Sequence, residues 1–149
     1  MKDSFVEMTE IVLPEDTNAR GSIFGGRVLA LVDKCAAIVA MRHTRYEVVT
    51  ASLDSVDFRS GVRVGNILVL KGRLNAVFRS SMEVEIEVHS EDPLTGERHL
   101  TTRAFVTMVA MGPNGRIASA PRLEFTTDDE RGRAAAAEAR RRERIARRA

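Results

Sequence analysis

The stretch from Arg27 to Arg42 constrains this chain more than any other, because only Arg27, Asp33, Lys34 and Arg42 in it are charged. A helix that is apolar on almost every side belongs inside a fold. At ~1.5 Å per residue the run spans roughly 24 Å, about the width of a small domain. It falls short of the roughly 20 apolar residues of a membrane span, and Asp33 and Lys34 interrupt it. The sequence therefore predicts a core helix, opened by the pair Gly25 and Gly26 and preceded by a polar turn containing Thr17, Asn18 and Gly21.

Asp33 needs an explanation in such a helix. Its neighbours three and four positions away are Leu29, Ala30, Ala36 and Ala37, which offer a carboxylate nothing polar. An unpaired buried charge is costly and would take up a proton, so Asp33 is either paired with a group from elsewhere in the fold or has chemistry to perform. The adjacent alanines leave room for a substrate. Gly25 and Gly26 have no side chains to block approach, and first-turn amides lack intrahelical partners, so they can donate to an anion or a polarised carbonyl. The same glycines also suit a compact helix start. Asp33 lies ~11 to 12 Å of helical rise beyond them, within reach of one substrate lying along the helix.

The remaining chain reads mostly as strands. Phe5 to Leu13 suits a first strand ending at Pro14. From Val48 to Arg59 the apolar phase runs through Val49, Ala51 and Leu53, then slips to Val56 and Phe58, which predicts a bulge. Asn66 to Val77 is the next strand. In Ser81 to Ser90, Met82, Val84, Ile86 and Val88 face in and Glu83, Glu85, Glu87 and His89 face out. Turn chemistry at Asp92 to Gly96 leads into a strand over His99 to Met111. One long helix against an antiparallel sheet is an α+β domain. A single sheet covers one side of the helix, so the reading also implies cover from a second chain.

The basic balance of the sequence is local. From Arg131 to Ala149 there are eight arginines and two glutamates, while the rest of the chain holds 15 basic and 19 acidic residues. We divide the chain into a domain over residues 1–125 and an Ala/Arg-rich tail over residues 126–149, expected as a solvated helix or a disordered segment. With no aromatic residue to stack on a base, the tail disfavours a nucleic-acid partner. The first residues lack the apolar core of a signal peptide, and a single Cys fits a reducing compartment, so the expected location is cytoplasmic.

Other chemistries fit poorly. There is no Walker-type phosphate loop, and the glycines do not follow the strand-then-glycine order of a dinucleotide site. His43, His89 and His99 are scattered without metal-ligand spacing, so no metal is expected. Cys35 and His43 would lie ~12 Å apart on a straight helix, too far for a thiol and its base, and Cys35 reads as a small buried hydrophobe. Arg79, Ser80 and Ser81 form either a plain turn or a phosphate contact.

The motif Pro14, Asp16, Thr17, Asn18, Gly21, Ile23, Phe24, Gly25, Gly26, followed by Asp33, closely resembles the hotdog-fold acyl-CoA thioesterases of the cytosolic acyl-CoA hydrolase type. The likeness continues through Val49 to Ser52, Asp57-Phe58, Arg63 to Gly65, Ser80 to Val84 and Leu94 to Gly96, covering roughly residues 8 to 112. It implies a hotdog, a long helix wrapped by a curved antiparallel sheet, in a homodimer commonly assembled as a trimer of dimers. The resemblance further implies acyl-CoA hydrolysis at the dimer interface, with Asp33 as general base or nucleophile, Asn18 supplied by the partner and the Gly25 and Gly26 amides as oxyanion hole. Thr50, Ala51, Ser52, Arg79, Ser80, Ser81 and Met82 are the expected coenzyme A contacts. No cofactor is implied, coenzyme A being part of the substrate, and serine-esterase chemistry is not expected. A dehydratase is disfavoured because His43 lies ten residues beyond Asp33, whereas dehydratases resemble one another through a closer Asp and His. A non-catalytic acyl-CoA binding module is the principal alternative.

Overall fold

The computed structural model describes residues 4–148, apart from the side chain of Ser55. Its elements are β1 (Val6–Ile11), a single 3-10 turn (Pro14–Asp16), α1 (Gly25–Thr44), β2 (Glu47–Phe58), β3 (Ile67–Val77), β4 (Ser81–Glu91), β5 (Arg98–Met111) and α2 (Asp128–Arg148). The strands form one antiparallel sheet in the order β1-β3-β4-β5-β2. All five pack against α1, which gives the α+β hotdog arrangement.

The core follows from two periodicities. Along α1, Val28, Leu31, Val32, Cys35, Ala36, Val39 and Ala40 are buried at intervals of three and four. They meet alternate residues of the strands, including Leu68, Leu70 and Leu74 of β3, Val84, Ile86 and Val88 of β4, and Ala104, Val106 and Met108 of β5. Gly72 marks the closest approach, since a Cβ there would lie 2.9 Å from Val39 Cγ2 and 3.0 Å from Cys35 Sγ. Cys35 is a buried hydrophobe, and burial pushes its thiol up to about 11.

Two features stand out against the sequence reading, one in agreement and one a departure. First, α1 is not covered on every side within one chain, as the reading from a single sheet requires. Ala30, Lys34 and Met41 are exposed, and Asp33, Ala37 and Ile38 are half-buried along the same face. Strand β2 beside it is an edge strand, with Val49 and Phe58 about half exposed.

Second, the arginine-rich tail is expected to be solvated, yet α2 docks on the sheet face opposite α1. Ala137 is fully buried. Arg140 donates two hydrogen bonds to Glu83, at 2.8 and 2.7 Å, and its guanidinium stacks on Phe105 at 3.8 Å. Arg141 lies over Phe78, and Arg144 donates to Asp54 at 3.1 Å. Glu83 and Glu85 do face away from the core as their alternation predicts, but Asn75 donates to both and they are buried. A charged residue on the outer face of a strand is solvated only if nothing is laid across it; here a cationic helix is.

Candidate active site

Strand β2 runs back along α1 so that its inner face covers the helix from Asp33 towards Gly25. Two register shifts against β5, between Thr50 and Ser52 and between Asp54 and Asp57, set which side chains turn inwards. Thr50 opposite Met108 and Leu53 opposite Val106 face the core despite their odd spacing. The second shift returns Phe58, opposite Thr102, to that inner face. The slip after Leu53 that is legible in the sequence is the second of these shifts and aims Phe58 at the first turn of the helix; the first shift is not legible there, and it turns Thr50 inwards while Val49 and Ala51, expected in phase with Leu53, are exposed.

Asp33 is half-buried, and its Oδ1 accepts a hydrogen bond from Thr50 Oγ1 at 2.5 Å. The polar partner absent from its own helix is thus supplied by the neighbouring strand. Thr50 fixes one carboxylate oxygen and leaves the other for a reacting group. Because Cβ bonds tilt towards a helix's N-terminus, the Asp33 side chain reaches back towards Gly25 and Gly26. Among the described residues, neither glycine N–H is taken by a backbone carbonyl outside the helix, and these are the orphan donors of the first turn. A Cβ on Gly26 would enter open space, whereas one on Gly25 would lie 3.6 Å from the Phe58 ring.

Asn18 sits in an exposed loop built by its own side chain. Its Oδ1 accepts from the Arg20 and Ser22 amides at 2.9 and 3.2 Å, and its backbone N–H donates to Ser22 O at 2.8 Å. Those donors fix which end of the amide is oxygen and leave the Nδ2 group as the donor available to a second molecule. Gly21, at φ +77°, makes the turn possible. Asp16 anchors the loop to the helix, accepting from Leu13 N at 3.0 Å and pairing with Arg27 at 3.2 Å. No hydrogen bond joins Asn18 to Asp33 within the described chain.

The remaining candidates lie around the start of β4. Thr50, Met108 and Met82 occupy one row across β2, β5 and β4, which brings the two expected coenzyme A segments to the same end of the sheet. Arg79 is exposed and, with Ser80, Ile117, Ala118 and Ser119, lines a groove of about 310 Å³. Ser81 is half-buried, its carbonyl held by Phe78 N at 2.9 Å. Ala51 is exposed at the first register shift, and Ser52 Oγ is buried without a partner. Met82 differs from expectation: it is fully buried in the core, so its side chain is not available to a ligand.

A second groove of about 420 Å³ opens beside the first turn of α1, lined by Ile23, Gly25, Val28, Phe58, Val62 and Thr102, with Arg59 and Ser60 at its rim. The sequence reading did not assign this groove, although the slip at Val56 and Phe58 was its visible signal. Among the described residues no cluster of His, Cys, Asp and Glu could hold a metal ion. No helix is long and apolar enough to cross a membrane.

The thioesterase superfamily profile matches residues 20–97, a span holding Gly25, Gly26, Asp33 and Thr50 but stopping short of Asn18. An uncharacterized acyl-CoA thioester hydrolase, YkhA of Bacillus subtilis, is 41% identical over 129 residues, covering 87% of this chain and 75% of its own. The human cytosolic acyl coenzyme A thioester hydrolase is 34% identical over 85% of this chain, which spans 34% of that longer protein. Among solved structures, an apo-hexameric acyl-CoA thioesterase is similar with a TM-score of 0.93 at 47% identity, covering 99% of this chain and 95% of that one. The acyl-CoA hydrolase of Staphylococcus aureus, solved with butyryl coenzyme A and coenzyme A, is similar at TM-score 0.91 and 34% identity, over 99% of this chain and 90% of its own. Further structures of that enzyme carry alanine in place of one Asp, one Asn and one Thr.

Proposed function

This chain belongs to the thioesterase superfamily, and from that premise we propose that it hydrolyses acyl-CoA thioesters to a free acid and coenzyme A. The observation that carries the proposal is the Thr50-held carboxylate of Asp33, lying along the same helix as the unpartnered first-turn amides of Gly25 and Gly26. The S. aureus residues replaced by alanine follow one another at the same sequence intervals as Asn18, Asp33 and Thr50, which supports their assignment as one site.

In this reading the thioester carbonyl oxygen accepts hydrogen bonds from the Gly25 or Gly26 amide, where the positive end of the helix stabilises the developing oxyanion. The free oxygen of Asp33 takes a proton from water as that water attacks the carbonyl carbon. The tetrahedral intermediate collapses with cleavage of the C–S bond, and the proton held by Asp33 passes to the departing thiolate. Direct attack by Asp33, giving an anhydride for water to cleave, uses the same groups. Asn18, from a partner chain, donates through Nδ2 to orient the water or the substrate. Thr50 to Ser52, Arg79, Ser80 and the backbone at Ser81 contact coenzyme A, and no further cofactor enters the reaction.

A second copy completes the site. The exposed edge of β2 and the uncovered α1 face of Ala30, Asp33, Ala37 and Met41 support pairing into a homodimer, and the hexameric relative supports a trimer of such dimers. We place the protein in the cytoplasm, since its single, buried Cys fits a reducing compartment. Thiol release from a panel of acyl-CoAs tests the reading: wild type turns over, and Asp33→Asn lowers kcat by roughly 10² to 10⁴-fold without loss of fold. Near-normal turnover by Asp33→Asn removes the assignment, and a wild type that binds coenzyme A yet releases no thiol leaves a binding module.

A further inference from the structure

Two consecutive arginines of α2 grip the tip of the β3–β4 hairpin from the sheet face opposite α1. The hairpin pairs Val77 with Met82, and its turn carries Phe78, Arg79, Ser80 and Ser81. Just before it, a register shift between Leu74 and Ala76 leaves Asn75 as an extra residue. The Asn75 amide donates to Glu83 at 2.9 Å and to Glu85 at 3.0 Å, which ties the bulged strand to its neighbour. Both carboxylates are buried, and Arg140 closes over Glu83 with two hydrogen bonds. One residue on, about 100° round the helix, the Arg141 guanidinium lies 4.8 Å from the centroid of the Phe78 ring. That separation is within the range of a cation–π contact. Asn75, Phe78, Glu83, Arg140 and Arg141 have no part in the chemistry above.

We infer that α2 is a brace for this turn, and that Arg141, acting through Phe78, is the positioning residue that sets how tightly the nucleotide part of coenzyme A is held. The inference rests on the hydrolase reading above, in which Arg79 and Ser80 meet coenzyme A. The main chain of the turn is already fastened, because Ala110 N donates to Ser80 O at 2.9 Å and Ala120 N to Arg79 O at 2.8 Å. Arg141 adds a hold on the half-buried side chain that immediately precedes the exposed Arg79. A guanidinium gives a phosphate its full charge-assisted hydrogen bond only when binding need not first order the loop that carries it. Arg141 is not needed to keep α2 down, since Arg140 on Glu83, Arg144 on Asp54 and the buried Ala137 do that. Asp33 and the glycine amides belong to α1, on the other face of the sheet. Loss of the brace therefore weakens the hold on coenzyme A and leaves the reacting groups in place.

The test compares one acyl group on two carriers, coenzyme A and pantetheine, which lacks the nucleotide and its phosphates. Arg141→Ala is expected to raise KM for the acyl-CoA roughly tenfold, the worth of one charge-assisted hydrogen bond. Its kcat, and both constants for the acyl-pantetheine, should stay as in wild type. Phe78→Leu should act in the same way, and the double variant should be no worse than either single change, since both remove one contact. Calorimetric titration with free coenzyme A, which needs no turnover, should show the same loss of affinity, with circular dichroism checking that each variant folds. Unchanged KM and coenzyme A affinity in Arg141→Ala, equal losses on both carriers, or additive effects of the two changes would each overturn the inference and leave the hydrolase reading intact. A folded wild type that hydrolyses neither carrier, yet binds coenzyme A and loses that affinity in Arg141→Ala, overturns the hydrolase reading and upholds the brace. One that neither hydrolyses nor binds overturns both.

Discussion

At the scale of single residues, the hydroxyl of Thr50 holds one oxygen of Asp33, and in the proposed reaction this makes Thr50 a positioning residue that aims the other oxygen. Thr50→Ala is expected to lower kcat roughly 10- to 100-fold, because a catalytic group that wanders by about an ångström loses its alignment, with a smaller rise in KM from the lost coenzyme A contact. Thr50→Ser, which keeps the hydroxyl, should recover most of the rate in the same thiol-release assay. Asp33 itself was legible in the sequence as a carboxylate out of place in an apolar run. Its partner was not, because Thr50 is seventeen residues away on another element and no helical spacing points to it. Met82 failed for a simpler reason, its alternation with Val84 and Ile86 placing it in the core. Glu87 offers a pH test outside the site. Burial alone would raise its pKa, but the hydrogen bond with His89 and the charges of Arg103 and Arg73 outweigh burial, so the folded value lies below the ordinary one. Its contribution to stability is therefore present above the unfolded pKa of ~4.3 and is lost as pH falls through the lower folded value. Urea midpoints of wild type and Glu87→Gln should differ near neutral pH and converge on acidification.

At the scale of elements, the core helix and the strands were readable because each buries one periodic face, while the docking of α2, expected as a solvated helix or a disordered segment, was not. Its alanines and arginines have no apolar stripe large enough to announce docking. What holds it is complementary charge and stacking, with Glu83 sealed beneath Arg140 and Phe105 under the guanidinium. Arg140→Ala strands the Glu83 carboxylate in a buried site and is expected to cost on the order of 3 kcal/mol. Replacing both members, as Arg140→Leu with Glu83→Leu, should cost much less, since no unpaired charge remains. Denaturant midpoints of the single and double variants decide this, and equal losses would mean that the ion pair is not what fastens the helix. The β2 bulges divide: the slip after Leu53 was visible in sequence and accounts for the inward aim of Phe58, while the shift that turns Thr50 inwards needed the register against β5.

At the scale of the whole molecule, one chain holds Asp33, Thr50 and the glycine amides together but leaves Asn18 tied into its own loop, with Nδ2 unspent and no bond to Asp33. The apolar face of α1 and the open edge of β2 lie beside this unfinished site. The sequence implied the second chain through an all-round apolar helix, and the structure leaves uncovered the face that a second chain would meet. The central claim is that Asn18 of one chain and Asp33 of its partner make one hydrolytic site, so the decisive measurement is thiol release by mixed variants. Asn18→Ala and Asp33→Asn homodimers should each be nearly inactive on acyl-CoA. Heterodimers carrying one of each, verified by differently tagged chains, retain one intact site and should recover up to about half the wild-type rate per dimer. No recovery in verified heterodimers would contradict the account.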